Sequence, residues 1–485
     1  MRRRSAWAAA ILLSLANPAA AEAPFDRAGW QRDFALLKRQ MEAAYANLAW
    51  AASPASGIDV PALDRRTARA LEAAESDEEA RSAIRRFVAG FHDGHFSELP
   101  ALAATGPREP EPPKAELRAL GPAAGCAALG YANRSPTAFS LPFESLPGFR
   151  LLHDGAGTAF RTGLSADGRI GVVRIRNFNE IQYPSVCERA WREAPASLDR
   201  RSGDFSILVQ TAWLAELAGE LRELKRLGAE RLIVDIGANS GGNELGDWAA
   251  RLFTGRALRS APLRMTSGPL VEKYFREQEE ALKAAAPKPA SPAAALYAEA
   301  LRALAARRAE ALGRACDLAW AWREQRPWRP DGCSRLADAG WASGPFWPSA
   351  RLQGRSPLAR ALYWPAAAAP FAGAWTGPVF VQTSGTSYSA AEMFAAVMRD
   401  NGVARTVGTR TGGDGCGFMV EAAPLVLPHS RLRFRMPNCV RLRADGSNEV
   451  AGVAADIAVD PVEGESPRAR AARLLRAVAA APAAP

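Results

Sequence analysis

Apolar residues recur along the first ninety positions at the spacing of an amphipathic helix. Trp30, Phe34, Leu37, Met41 and Tyr45 share one face, and a similar pattern runs from Leu71 to Phe91, so residues 25–91 read as helical. The period changes near residue 169. Residues 170–176, Ile-Gly-Val-Val-Arg-Ile-Arg, alternate as a strand does, and 207–227 return to a helical period. The short apolar run 231–237 reads as a buried strand. It opens into Ala238-Asn239-Ser240-Gly241-Gly242-Asn243, and a helix follows from about Glu244. Strand, glycine turn and helix in that order are the signature of an α/β fold. Residues 271–325 are helical and alanine-rich, interrupted by Pro287, Pro289 and Pro292, and read as an insertion. The α/β pattern resumes with a strand at 378–382 and a helix at 389–401, which Gly402 can close. Short strands are expected at 406–409, 418–427 and 432–436.

These changes divide the chain into a processing segment (1–21), an N-terminal helical domain (22–100) and a linker or mixed region (101–166). A first part of an α/β core (167–270), a helical insertion (271–340) and a second part of the core (341–465) follow, then a C-terminal helix and tail (466–485). The run 107–113, Pro-Arg-Glu-Pro-Glu-Pro-Pro, breaks regular structure.

Composition narrows the class. Of 485 residues, 48% are hydrophobic and 23% charged, which supplies a sizeable core and excludes a wholly disordered chain. The net charge of +10 is carried mostly by arginine spread along the chain, so no basic run argues for a nucleic-acid partner. Arg2, Arg3 and Arg4 precede an apolar stretch from Ala6 to Ala16, and Ala19, Ala20 and Ala21 follow. That is the layout of a secretory signal peptide, too short to anchor a membrane protein, so a periplasmic or secreted location is expected. The six cysteines suit that compartment. Cys316 with Cys333, and Cys416 with Cys439, are the pairs nearest in sequence, while the connectivity stays open. No Cys-x-x-Cys occurs, which disfavours a zinc cage.

Three segments carry candidate chemistry. Ser389, in Ser387-Tyr-Ser-Ala-Ala-Glu392, follows a buried strand and opens a helix. Free N–H groups and the positive helix end there favour an anion beside the hydroxyl. Ser-x-x-Glu is also a capping box, and taken alone the segment reads as a cap. The glycine turn reads as an oxyanion hole or as a plain tight turn; without Gly-x-Gly-x-x-Gly or a Walker lysine it does not read as a nucleotide site. The third segment is the turn Phe91-His-Asp-Gly-His-Phe96, which holds His92 and His95, two of the four histidines. His92, His153 and His429 read as structural.

Four segments in order resemble the tail-specific (C-terminal-processing) protease and tricorn-core serine peptidase superfamily. Phe91 to Phe96 is similar to its Asp-x-His-Thr turn, which sets His95 apart from the other three histidines. Ile233 to Gly242 is similar to its Leu-Asp-Leu-Arg-Gly-Asn-x-Gly-Gly strand and turn. Thr386 through Gly402 and Val407-Gly408 resemble the nucleophile segment, and Asn448-Glu449-Val-Ala-Gly452 through Asp456 the closing segment. The resemblance implies a crotonase-like α/β core of the ClpP/crotonase type, with Ser389 as nucleophile. It also exposes a departure. The lysine of the Ser-Lys branch would fall 25 residues after the serine, where this chain has Asp414, and no lysine follows Lys288. Arginine cannot replace it, because it stays protonated. The tricorn-like branch uses serine, histidine and glutamate, which match Ser389, His95 and Glu449. The resemblance further places oxyanion donors at the N–H of Gly241 or Gly242 and of Ala390. Residues 101–166 lack the carboxylate-binding loop of a PDZ domain, so none is expected.

The resulting expectation is an exported serine-type peptidase. It would act on a peptide or protein through an acyl-enzyme, with no metal or organic cofactor, no nucleic-acid partner and no stable membrane insertion. The rival is a catalytically inactive periplasmic binding protein on the same fold. A thiol enzyme using Cys416 ranks last, because exported cysteines normally pair.

Overall fold

Neighbouring strands bury apolar side chains on both faces, and that decides the layering. Val172, Ile233, Phe380 and Val407 bury on one side with Leu474 and Val478 of the C-terminal helix Pro467–Ala480. Val173, Val234 and Val381 bury on the other, with Trp213 and Leu217 of the helix Gly203–Arg226 and Phe394 of the helix Ala390–Asp400. Strands apolar on both faces need cover on both, which yields a helix–sheet–helix core. The computed structural model describes residues 24–101, 117, 119–313, 315–346 and 357–482. The expected signal segment at 1–21 and the breaker run at 107–113 lie outside the described residues.

In chain order the strands are β1 (Ser97–Leu99), β2 (Arg150–Asp154), β3 (Arg161–Leu164), β4 (Ile170–Arg174), β5 (Arg231–Asp235), β6 (Pro262–Thr266) and β7 (Leu336–Trp341). They continue with β8 (Val379–Thr383), β9 (Ala404–Gly408), β10 (Leu425–Val426), β11 (Arg433–Arg435), β12 (Cys439–Arg441) and β13 (Ile457–Ala458). The main sheet has seven strands in the order β13-β9-β8-β5-β4-β3-β2. Strands β4, β5, β8, β9 and β13 run parallel, and β3 and β2 add antiparallel at one edge. This is the expected crotonase-like α/β core. It reaches further back than residue 167, because β2 and β3 come from the region expected to be a linker.

Two small sheets join the other parts to this core. β12, β6 and β7 form one, β1, β11 and β10 the other. The insertion is less purely helical than expected: its helices Pro269–Ala284 and Ala294–Gly313 are followed by β7, which pairs with β6. β1, at the end of the N-terminal helices, pairs antiparallel with β11, placing Ser97 opposite Arg435. Trp30, Phe34, Phe87 and Phe91 of that domain share a core with Leu432 and Phe434. Of the strand expected at 418–427, only β10 forms. Three disulfides close the chain: Cys126–Cys187, Cys316–Cys333 and Cys416–Cys439. With Cys416 in a disulfide, the thiol-enzyme reading falls. Among the described residues, no helix is long and apolar enough to cross a membrane.

Candidate active site

Strand β8 ends at Thr383, and the chain turns through 384–388 before the helix Ala390–Asp400 begins. Ser389 sits at that tip with φ 55° and ψ −115°. A residue with a Cβ adopts this backbone only when its surroundings enforce it, at about 1–3 kcal/mol. The glycine turn enforces it here. Ser387 Oγ donates to the Ile236 carbonyl at 2.8 Å, and the Tyr388 N–H to the Asn239 carbonyl at 2.9 Å. A Cβ at Gly241, whose φ is 103°, would stand 2.6 Å from the Ser389 Cβ. Only glycine lets the two turns lie together. Glu392 supplies its half of the capping box, accepting from the Ser389 N–H at 3.2 Å.

Of the three residues expected to give oxyanion donors, one is already engaged. The Gly241 N–H donates to Asn239 Oδ1 at 2.8 Å, which closes the turn on itself and removes Gly241 from that role. Gly242 and Ala390 both line the cavity of about 510 Å³ that contains Ser389.

His95 lines the same cavity. Its turn is held from beneath by Asp93, whose buried carboxylate accepts from Tyr45 Oη at 3.0 Å, Asn47 Nδ2 at 2.9 Å and the His95 N–H at 3.1 Å. Its Nδ1 lies 3.1 Å from the Asp414 carbonyl and 3.9 Å from Asp414 Oδ2. A carbonyl only accepts, so this contact puts the ring proton on Nδ1 and leaves Nε2 bare. Burial lowers the His95 pKa, which the nearby Asp93 charge opposes. The imidazole is therefore neutral at neutral pH, as a general base must be.

Glu449 has a different partner from the expected one. Its Oε1 accepts from Arg441 Nη2 at 2.6 Å and Nε at 2.9 Å, and Oε2 is buried without a hydrogen bond among the described residues. A buried guanidinium on β12 demands a carboxylate, and Glu449 satisfies it. Arg441 Nη2 also donates to the Ser389 carbonyl at 3.0 Å and the Gly415 carbonyl at 2.9 Å. Glu449 thus reaches the site through Arg441, while the group on His95 Nδ1 belongs to Asp414.

This lattice is not legible in the sequence, where Asp414 stands only at the place of the absent lysine. Burial pushes the Asp414 carboxyl up to about 6, against the Gly94 amide and the Arg441 charge. Glu392, read only as a cap partner, also accepts from Thr411 Oγ1 at 2.6 Å and from the N–H groups of Gly413, Asp414 and Gly415 at 2.7–2.8 Å. Burial outweighs those donors and pushes it up to about 7. Its reach to 411–415 leaves no periodic signal, and neither does Arg441 on so short a strand. Of the other histidines, His92 is exposed, His153 Nδ1 meets Glu220 at 2.7 Å, and the His429 ring packs edge-on against Trp30.

Layered core and cavity together fit an α/β core of the ClpP/crotonase type. Residues 169–459, more than half of the chain, match the model of peptidase family S41, a serine peptidase family, and the chain belongs to it. This is the tail-specific protease superfamily that the four segments resemble, and its members act on proteins. No curated protein matches the chain. Among solved structures, mature CPAF complexed with lactacystin is 15% identical at a TM-score of 0.55, covering 93% of this chain and 98% of its own. Another structure of mature CPAF is 14% identical over 93% and 96%, at a TM-score of 0.49. The photosystem II D1 C-terminal processing protease is 12% identical over 89% and 92%, at a TM-score of 0.32. The first of these likenesses shows the fold alone.

Proposed function

We propose that the protein is an exported serine peptidase in which Ser389 is the nucleophile and His95 its general base. Ser389 Oγ attacks the scissile carbonyl carbon while its proton passes to His95 Nε2. The oxyanion forms beside Gly242 and Ala390, whose N–H groups are the proposed donors. Collapse breaks the C–N bond, and the imidazolium returns the proton to the leaving amine. Water, deprotonated by the same nitrogen, then releases the acid product.

One observation carries this reading: the strained serine and an imidazole whose Nδ1 meets the Asp414 carbonyl line one cavity. Asp414 takes the orienting role that the family resemblance gave to Glu449. The Asp414 carbonyl fixes the tautomer, and its carboxylate stands near enough to favour the imidazolium once formed. Glu449 acts one step back, by holding Arg441 against the Ser389 carbonyl. Export is supported by the three disulfides and by the basic and apolar run at the N-terminus.

The test is covalent labelling. A plain fluorophosphonate labels the wild type, and Ser389→Ala takes none while its melting temperature stays near that of the wild type. Label that persists in the variant, or a wild type that never labels, sinks the reading; the second outcome favours a binding protein.

A further inference from the structure

Five ionisable side chains among the described residues line the cavity around Ser389: His95, Glu244, Glu421, Arg435 and Arg441. Four of them are already engaged. Arg441 is held by Glu449 at 2.6 Å. Arg435 pairs with Glu421 at 3.3 Å and lays its guanidinium 3.6 Å from the centre of the Phe418 ring. His95 gives Nδ1 to the Asp414 carbonyl. Glu244 has no cation at ion-pair distance among the described residues: its carboxylate accepts from its own N–H, and Arg441 reaches it only through its field. Burial raises the Glu244 pKa, with the Glu180 and Asp247 charges adding to the effect. A carboxylate in this position is stabilised by whatever cation enters the cavity.

The location is also specific. Glu244 follows Gly242 by two residues, on the segment that flanks Ser389. Leu263, Ala342, Met393 and Met419 give the same cavity apolar walls. Walls of that kind suit an alkyl stem, and an anion beside them suits a cationic tip. An apolar substrate side chain would leave Glu244 unpaired, and an acidic one would meet arginines that already have partners.

We infer that Glu244 selects substrates with a lysine or arginine side chain on the residue whose carbonyl Ser389 attacks. The inference rests on the reading of Ser389 as nucleophile, and the experiment separates the two. Two diphenyl phosphonates are compared, one with a 4-aminobutyl side chain and one with n-butyl, beside a plain fluorophosphonate. In each diphenyl reagent Ser389 Oγ displaces phenoxide from phosphorus and the serine proton leaves through His95, so no peptide turnover is needed. The aminobutyl reagent should label the wild type at least about 30-fold faster than the butyl reagent, in line with the loss when one partner of a shielded charge pair is removed. In Glu244→Gln that ratio should fall towards one. Equal rates in the wild type, or a ratio unchanged in Glu244→Gln, overturns the inference while plain labelling keeps Ser389 as nucleophile. No labelling by any of the three reagents overturns both. If the variant does not fold, the wild-type ratio still decides.

Discussion

Ser389 holds a backbone conformation that its own chemistry disfavours, and this makes a measurable prediction. Replacing it with alanine keeps the Cβ and the strain, whereas glycine removes both. Ser389→Gly should therefore be more stable than Ser389→Ala by about 1 kcal/mol, read from urea midpoints. Equal midpoints would show that the neighbouring turns hold the tip without strain. Titration supplies a second test at this scale. Because burial lowers the His95 pKa, the acid limb of kcat/KM should lie below the ordinary histidine value of about 6.5. An acid limb above that value would mean that the carboxylates near the ring outweigh burial. Asp414 is raised to about 6 and Glu392 to about 7, so the folded state keeps these protons where the unfolded chain has lost them. Stability from these groups falls as pH rises from about 4 to 7. Asp414→Asn should flatten the lower part of that slope, and an unchanged slope would count against the raised value.

At the scale of elements, the site depends on short pieces of chain that bond to one another across long sequence distances. β12 carries Arg441 onto both the Ser389 and Gly415 carbonyls, and Glu449 anchors it. Glu449→Gln leaves a buried guanidinium without its counter-charge and should cost about 3–5 kcal/mol of stability. The plain fluorophosphonate should label the variant more slowly, because Arg441 no longer fixes the serine turn. The shape of the pH profile should survive, since the group on His95 Nδ1 is Asp414. If instead Glu449→Gln keeps wild-type stability and shifts the acid limb, Glu449 serves the imidazole directly.

Across the whole molecule, the imidazole comes from the turn after the N-terminal helices and the serine from the helix tip after β8, and both line one cavity. β1 pairs with β11, and the His95 ring rests against Gly417, where a Cβ would stand 2.7 Å from Nε2. Gly417 adjoins Cys416, which the disulfide to Cys439 ties to β12 across a sequence separation of 23. Replacing both cysteines by serine should cost about 3 kcal/mol from loop entropy. Labelling should also slow well below the melting transition, because the wall behind His95 loosens. Wild-type labelling in that variant would show that the interface of β1 with β11 holds the ring unaided.

How much of this the sequence carried depends on range. Local pattern was enough for the helices that bury Trp30 to Met41, for the buried strands around Val172, Ile233 and Phe380, and for the turn and helix at Ser389. Periodicity and glycine placement act within a few residues, and they survive in one dimension. Family resemblance brought His95, Ser389 and Glu449 together as candidates but could not say which atoms meet. Only the folded chain decided that Asp414 bonds the imidazole, that Arg441 claims Glu449, and that Asn239 uses the Gly241 N–H. Each of those choices is a competition among buried donors, acceptors and charges for the nearest partner, and nearness belongs to three dimensions. β2, β3, β6 and β12 were hidden for the same reason: they lack the continuous apolar run that marks β5 and β8, and pairing with a neighbour stabilises them.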